Sequence, residues 1–240
     1  MSKGNAPQPP DPARRRFFQA AGAAALPAAL PLASHAQGAK APVRAYLFFN
    51  PAEAAFVEAA LARLIPRDEN GPGALEAGVP EYIDRQLAGA WGAGERLYRS
   101  GPWHPGTPSQ GYQLPFTPAE LFRTAIRKIN ETNAGFAKLA AQGQDAYLDS
   151  LQKGSVDLGG VPSNVFFESL LEATVEGFFC DPAYGGNRDM AAWRMIGFPG
   201  AYADFYELVD RHGAAFNAPP TSLAQDARGN VHLLHHQRKT

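Results

Sequence analysis

Two helix starts of the same pattern constrain the fold of this chain more than any other feature of its sequence. Residues 50–53 (Asn-Pro-Ala-Glu) and residues 117–120 (Thr-Pro-Ala-Glu) each combine a capping side chain, a proline at the first helical position and a glutamate three residues after the cap. Apolar residues follow each start at helical spacing, and Pro66 ends the first run. These signatures predict one helix over residues 50–65 and another from residue 117 onwards.

The rest of the chain also favours helices over strands. Further segments with helical spacing begin near Pro80 or cover residues 136–141, 146–152, 163–179, 189–196 and 202–211. Only residues 43–49 resemble a strand, and no alternating pattern is long enough to build a sheet. Residues 92–115, rich in Gly, Pro and aromatic side chains, predict a long ordered loop. We therefore predict an all-α fold, a single irregular helical domain with long loops.

The first 36 residues have the pattern of a twin-arginine export signal. Four residues form the recognition motif and a fifth precedes the cleavage position: Arg14, Arg15, Phe17, Phe18 and Ala36. The apolar run over 20–33 is shorter than the roughly 20 residues that a membrane span needs. An arginine-rich disordered tail or a retained N-terminal anchor is the alternative interpretation. The signal predicts that the twin-arginine translocase exports the folded protein to the periplasm.

These features divide the chain into four predicted parts. The signal peptide covers 1–36, a flexible lead-in 37–48, the helical domain 49–212 and an extended or disordered tail 213–240. The tail is polar, contains two adjacent prolines and shows no apolar stripe. The chain without its signal is long enough for one domain with a proper core.

Charge and cysteine content exclude several classes of function. The chain has a formal charge of −1, and the predicted signal holds four of its 22 basic residues, so the exported part is acidic. This balance argues against nucleic acid as a partner. The single cysteine, Cys180, cannot form an intramolecular disulfide, an iron–sulfur ligand set or a c-type haem attachment motif. It is either buried or paired with another chain.

No sequence motif for a resident cofactor stands out. The chain lacks a G-x-G-x-x-G turn after a strand, a Walker loop, an H-E-x-x-H helix and a G-x-S-x-G elbow. His232 and His236 would share a helix face and could hold a metal, but solvated tail histidines are the favoured interpretation because no carboxylate or cysteine ligand lies near in sequence. We therefore expect no catalytic, cofactor or metal site on this chain.

One constellation, residues 181–200, exceeds the background of the sequence. A catalytic or ion-binding interpretation uses its four polar side chains: Asp181, Tyr184, Arg188 and Asp189. The other interpretation is a rigid turn–helix–turn that presents Tyr184, Trp193 and Phe198 to a core or a partner. We favour the second, because one tyrosine and unpaired acids form no recognised acid–base set. The alternative function is a stand-alone periplasmic sugar-binding protein or oxidoreductase with a site around Asp181, Tyr184 and Asp189.

The same residues carry a family resemblance. The run 178–187 (Phe-Phe-Cys-Asp-Pro-Ala-Tyr-Gly-Gly-Asn), Trp193 and the segment 196–200 (Ile-Gly-Phe-Pro-Gly) resemble the gluconate 2-dehydrogenase subunit 3 family. Residues 64–68 (Leu-Ile-Pro-Arg-Asp) and 78–84 (Gly-Val-Pro-Glu-Tyr-Ile-Asp) resemble it too, as does the twin-arginine leader. The similarity covers residues 49–211. The loop over 92–115 and the tail depart from the usual pattern.

The resemblance implies a non-catalytic small (gamma) subunit of a periplasmic FAD-dependent gluconate or sugar dehydrogenase complex. FAD is expected on a glucose–methanol–choline-type flavoprotein subunit and haem c on a multihaem cytochrome c subunit, through which the complex associates with the membrane. The small subunit carries the export signal for the flavoprotein and supports its folding. The family offers no established catalytic residues to transfer to this chain.

Aromatic side chains are the candidates for contact with the partner subunit, because they dominate interface energetics. The candidate partner-binding residues are Trp103, Tyr112, Cys180, Tyr184 and Trp193, together with the tail. For Cys180 we predict a disulfide with a cysteine of the partner. Because the chain has no evident cofactor that would justify export in the folded state, the twin arginines are expected to serve a second protein.

Overall fold

The two helix-start signatures form the helices that they predict. The structure is a computed structural model that describes residues 45–104, 106–110, 113–202 and 205–234. Helix α1 (Pro51–Leu64) begins after Asn50, whose side chain accepts hydrogen bonds from the N–H groups of Ala52 and Glu53, while the Glu53 carboxylate accepts from the Asn50 N–H. These reciprocal bonds satisfy donors that a helix start leaves unpaired.

The second signature repeats this cap in helix α3. Thr117 and Glu120 exchange the same pair of hydrogen bonds at the start of Pro118–Thr132. The other α-helices in the described part of the chain are α2 (Val79–Ala88), α4 (Ala141–Gln152), α5 (Ser163–Phe179) and α6 (Ala191–Ile196). Short 3₁₀ turns lie at Pro108–Gln110, Phe136–Lys138, Pro182–Tyr184, Arg188–Met190 and Tyr206–Leu208.

Helix α5 is the centre of the packing, in contact with α1, α2, α3 and α4. Its Phe166 lies fully buried between Phe122 of α3, at a ring-centroid distance of 5.4 Å, and Phe56 of α1. Phe56 in turn contacts Phe136 at 4.9 Å. Burying these large rings is the main source of stability here, at roughly 1.5–3 kcal/mol for each side chain.

The fold is mostly helical, but it is not all-α as predicted. Strands β1 (Asp157–Leu158) and β2 (Val161–Pro162) form an antiparallel hairpin, with Asp157 opposite Pro162 and Leu158 opposite Val161. Each strand has only two residues, which is too short for an alternating pattern to be recognised. The hairpin buries Leu158 and Val161 and leads directly into α5.

Three other predicted elements differ from the structure. Residues 45–49 of the predicted strand 43–49 form no strand. The predicted helix over 136–141 is a single 3₁₀ turn, and the predicted helix over 202–211 is represented among the described residues only by the turn Tyr206–Leu208. Both segments have too few buried positions to stabilise a full helix, since an isolated turn gains little from propensity alone.

Residues 45–48, assigned to a flexible lead-in by the sequence, are held against the domain. The buried carboxylate of Asp84 accepts hydrogen bonds from three successive backbone N–H groups, at 2.6 Å from Leu47, 2.9 Å from Phe48 and 3.0 Å from Phe49. The guanidinium of Arg123 lies 4.1 Å from the centre of the Phe48 ring and donates to the Phe48 carbonyl. The anchored part of the chain thus starts before α1.

The described residues include no helix that is long and apolar enough to cross a membrane. The predicted signal peptide, with Arg14, Arg15, Phe17, Phe18 and Ala36, lies outside the described residues.

Candidate interaction site at the end of helix α5

The end of helix α5 lies unusually close to helix α2. A Cβ added to Gly177 would sit 2.6 Å from the ring of Tyr82, so only glycine allows this approach. A Cβ on Gly186 would sit 2.1 Å from the Gly177 carbonyl oxygen. Burial and the neighbouring Glu176 carboxylate raise the pKa of Tyr82 above its usual range. The 177–186 segment is therefore packed at backbone level, which explains its two indispensable glycines.

Asp181 connects residues 181–200, called the motif from here on, to the C-terminal tail. Its buried carboxylate accepts a hydrogen bond from the Ala183 N–H, which starts the turn Pro182–Tyr184. It also accepts from the Ser222 hydroxyl and, at 2.8 Å, from the Leu223 N–H. Because the buried Asp181 carboxylate accepts three hydrogen bonds, two of them from tail residues, it holds the tail against the motif.

Asn187 fastens helix α5 to helix α6. Its side chain is fully buried, donates to the Cys180 carbonyl at 3.0 Å and accepts from the Ala192 N–H at 3.0 Å. Its own N–H donates to the Gly177 carbonyl. One amide thus joins the last residues of one helix to the first turn of the next.

The backbone around Asn187 adopts conformations that side-chain-bearing residues rarely occupy. Asn187, Asp189 and Met190 have φ of 42°, 57° and 54°, in the left-handed region. Each such residue costs of order 1–3 kcal/mol and persists only where its surroundings impose it. Here the left-handed conformation is held by the hydrogen bonds of Asn187 and by a hydrogen bond from the Arg188 N–H to the Ala77 carbonyl. Strain of this kind concentrates at functional sites.

Trp193 is an internal support of the motif. It is 6% exposed, and its indole N–H donates to the Phe179 carbonyl at 2.8 Å. The Phe198 ring packs edge-on against it at 5.1 Å. The turn–helix–turn interpretation of residues 181–200 therefore describes the geometry well, with Trp193 directed into the domain. Little of this side chain is left for a partner to contact.

The remaining candidate contact residues lie in different surroundings. Trp103 and Tyr184 are half-buried, and Tyr112 lies outside the described residues. Cys180 is half-buried with its Sγ 3.5 Å from the Gly177 carbonyl oxygen, and burial raises the pKa of its thiol to about 12. Its predicted disulfide with a partner cysteine stays a prediction.

A charged cleft of about 590 Å³ opens beside the motif. Three arginines and two acids line it: Arg85, Arg188, Arg194, Glu81 and Asp189. Of the three residues in the predicted sugar site, only Asp189 belongs to this lining, because Asp181 is buried under the tail. In the described part of the chain, Asp181 and Tyr184 therefore do not line this cleft together with Asp189.

Exposed apolar side chains are frequent from the end of α6 onwards. Large side chains that remain at least a third exposed there are Met195, Ile196, Phe198, Phe205, Tyr206, Val209 and Phe216. Among them, the rings of Phe205 and Phe216 pack against each other at 5.3 Å, so these two lie on one surface. Exposed apolar side chains that lie together are typical of interaction surfaces. The sequence singled out Phe198 but not the exposed side chains around Tyr206, because residues 202–211 were predicted to form a helix.

Candidate metal ligands are scattered in the part of the chain that the structure describes. No group of three or more His, Cys, Asp or Glu side chains lies close enough together there to hold an ion. His232 contacts Asp226 at 3.0 Å, an arrangement that closes the turn 226–232. His236 lies outside the described residues.

Comparison with known proteins assigns the chain to a family. The family model for gluconate 2-dehydrogenase subunit 3 matches residues 51–200, from the first residue of α1 to the end of the motif. The chain belongs to the gluconate 2-dehydrogenase subunit 3 family. No curated protein and no solved structure matches the chain significantly. Residues 201–234, which hold the Asp181 contacts of the tail, lie beyond the matched region.

Proposed function

We propose that this chain is the non-catalytic small subunit of a periplasmic FAD-dependent dehydrogenase complex that oxidises gluconate or a related sugar. It binds the flavoprotein subunit in the cytoplasm, stabilises it, and carries it through the twin-arginine translocase by means of residues 1–36. FAD belongs to the flavoprotein and haem c to a cytochrome subunit, which links the complex to the membrane.

The family match over residues 51–200 carries this proposal. A subunit of a dehydrogenase complex needs a surface for its partner, and the exposed apolar side chains between Met195 and Phe216 have the character that such a surface requires. The motif also fits a structural role, because the side chains of Asp181 and Asn187 form hydrogen bonds with backbone groups of this chain.

The alternative, a sugar-binding protein or oxidoreductase acting alone, receives less support. A sugar site needs polar atoms that are free to bind hydroxyl groups. The Asp181 carboxylate instead accepts three hydrogen bonds from within the chain. Turnover of gluconate by the isolated chain with an artificial electron acceptor, abolished in Tyr184→Phe, would favour the alternative.

Export of the partner tests the proposal directly. The chain and its flavoprotein subunit are expressed together, and both are measured in periplasmic and cytoplasmic fractions. With Arg14→Lys and Arg15→Lys combined, we expect both proteins to stay in the cytoplasm, because the pair shares one signal. Arg16→Lys, which keeps Arg14 and Arg15, is the matched control and should leave export of both proteins intact. Periplasmic flavoprotein in the double variant would contradict the escort role.

A further inference from the structure

The cleft beside the motif contains positive charge that this chain does not neutralise. Arg188 forms an ion pair with Glu81 at 3.3 Å. Arg85 and Arg194 line the same cleft, and within the described residues neither guanidinium forms a hydrogen bond or an ion pair. Asp189 is the other charged residue of the lining. The cleft is therefore net positive on a chain whose exported part is acidic.

Three separate segments build the cleft. Glu81 and Arg85 come from α2, Arg188 and Arg194 from the motif, and residues 225–233 of the tail supply the third wall, including the apolar side chains of Val231 and Leu233. The bonds of Asp181 to Ser222 and Leu223, and a bond from the Leu234 N–H to the Ala183 carbonyl, hold the tail in place. The tail is thus a fixed wall of a preformed cleft.

The position of the family match adds a second observation. The matched region ends at residue 200, so two walls of the cleft lie inside the matched region and the third lies outside it. The strained residues Asp189 and Met190 lie on the matched side of the cleft. The cleft is therefore built by the family domain together with the tail that follows it.

We infer that this cleft binds an acidic segment of the flavoprotein subunit, with Arg85 and Arg194 receiving its carboxylates and the tail wall contacting its apolar atoms. The inference rests on the proposed function and names the surface that it requires. Arginine suits this role because its guanidinium binds carboxylates in a bidentate manner. A chain segment fits better than a small anion, because it occupies both exposed arginines and the apolar wall at Val231 and Leu233 together.

Binding to the flavoprotein subunit tests the inference. Dissociation constants are measured at low salt for wild type, for Arg85→Gln combined with Arg194→Gln, and for Arg127→Gln. Arg127 is the matched control, an exposed helical arginine outside this cleft. We expect the double variant to bind at least about tenfold more weakly and the control to bind like wild type. Raising the salt concentration should reduce the difference in dissociation constant between wild type and the double variant, because salt screens the attraction between the arginines and the carboxylates.

The outcomes separate the inference from the proposed function. If wild type does not bind the flavoprotein, the proposed function fails and the inference fails with it. If wild type and the double variant bind with equal affinity, the complex exists but the cleft is not its acidic-segment site. Competition by millimolar gluconate that disappears in the double variant would assign the cleft to a small anion and overturn the inference. Circular dichroism confirms that all variants fold.

Discussion

The buried amide of Asn187 should be one of the strongest single stabilising groups in the domain. Replacing it with alanine removes the bond to the Cys180 carbonyl and the bond from the Ala192 N–H. Each lost partner leaves a backbone group unsatisfied in the interior, at a cost of about 1–3 kcal/mol. Alanine must also adopt the left-handed φ of 42°, which costs a further 1 kcal/mol or so. We therefore expect Asn187→Ala to lower the free energy of unfolding by about 3–7 kcal/mol.

Urea unfolding followed by circular dichroism measures this loss. Asn187→Gly separates its two causes, because glycine adopts the left-handed conformation without strain but restores neither hydrogen bond. We expect Asn187→Gly to remain destabilised by at least about 2 kcal/mol. Asn130→Ala, a half-buried asparagine in α3 with no hydrogen bond of its side chain among the described residues, is the control and should change stability by less than about 0.5 kcal/mol.

The reasoning would be refuted by a loss below about 1 kcal/mol in Asn187→Ala, because the two hydrogen bonds would then contribute no more than surface contacts do. Full recovery of wild-type stability in Asn187→Gly would assign the effect to backbone conformation alone. In either case the junction between α5 and α6 would have to be stabilised by packing around Trp193 instead.

Two further predictions concern the same segment. Gly186→Ala should prevent folding or destabilise the domain by more than about 3 kcal/mol, because its Cβ would meet the Gly177 carbonyl oxygen at 2.1 Å. Gly135→Ala is the control, because that glycine has φ of −92° and no atom lies within 4 Å of the added Cβ, and thermal melts compare the two variants. Cys180 should react with iodoacetamide at pH 8 far more slowly in the native domain than in urea, because burial raises its thiol pKa to about 12 and keeps it protonated. The raised pKa also means that the contribution of Cys180 to the free energy of unfolding is constant below the unfolded pKa of about 9 and decreases as the pH rises above it. Equal alkylation rates in the native and unfolded states would contradict the burial of this thiol.

The helices could be predicted from sequence where a cap and a buried stripe agree. Residues 50–53 and 117–120 specify their helix starts through local hydrogen bonds, and α5 was placed at 163–179 by a wide apolar stripe alone. The segment around Tyr206 failed this test, because its apolar residues face solvent and so never stabilise a helix. Helical spacing predicts a helix only where a neighbour buries the stripe.

The polar contacts of the site could not be predicted in the same way. Asp181 meets Ser222 across 41 positions of sequence, and Arg85 meets the motif only because Gly177 lets α2 approach α5. The sequence showed that residues 181–200 were unusual, but a list of polar residues does not reveal which of them face inward. Asp181 and Trp193 face inward, and of the cleft arginines only Arg188 was singled out from the sequence, whereas Arg85 and Arg194 were found from the fold.

The three bonds to Asp84 have a consequence for the order of events during synthesis. Residues 47–49 leave the ribosome well before Asp84 does, and Leu47 finds its acceptor 37 positions later in the chain. The conformation of residues 47–49 is therefore fixed only when the start of α1 and helix α2 have come together. In this way a single carboxylate makes the order of the segment before α1 depend on a helix that follows α1 in the chain.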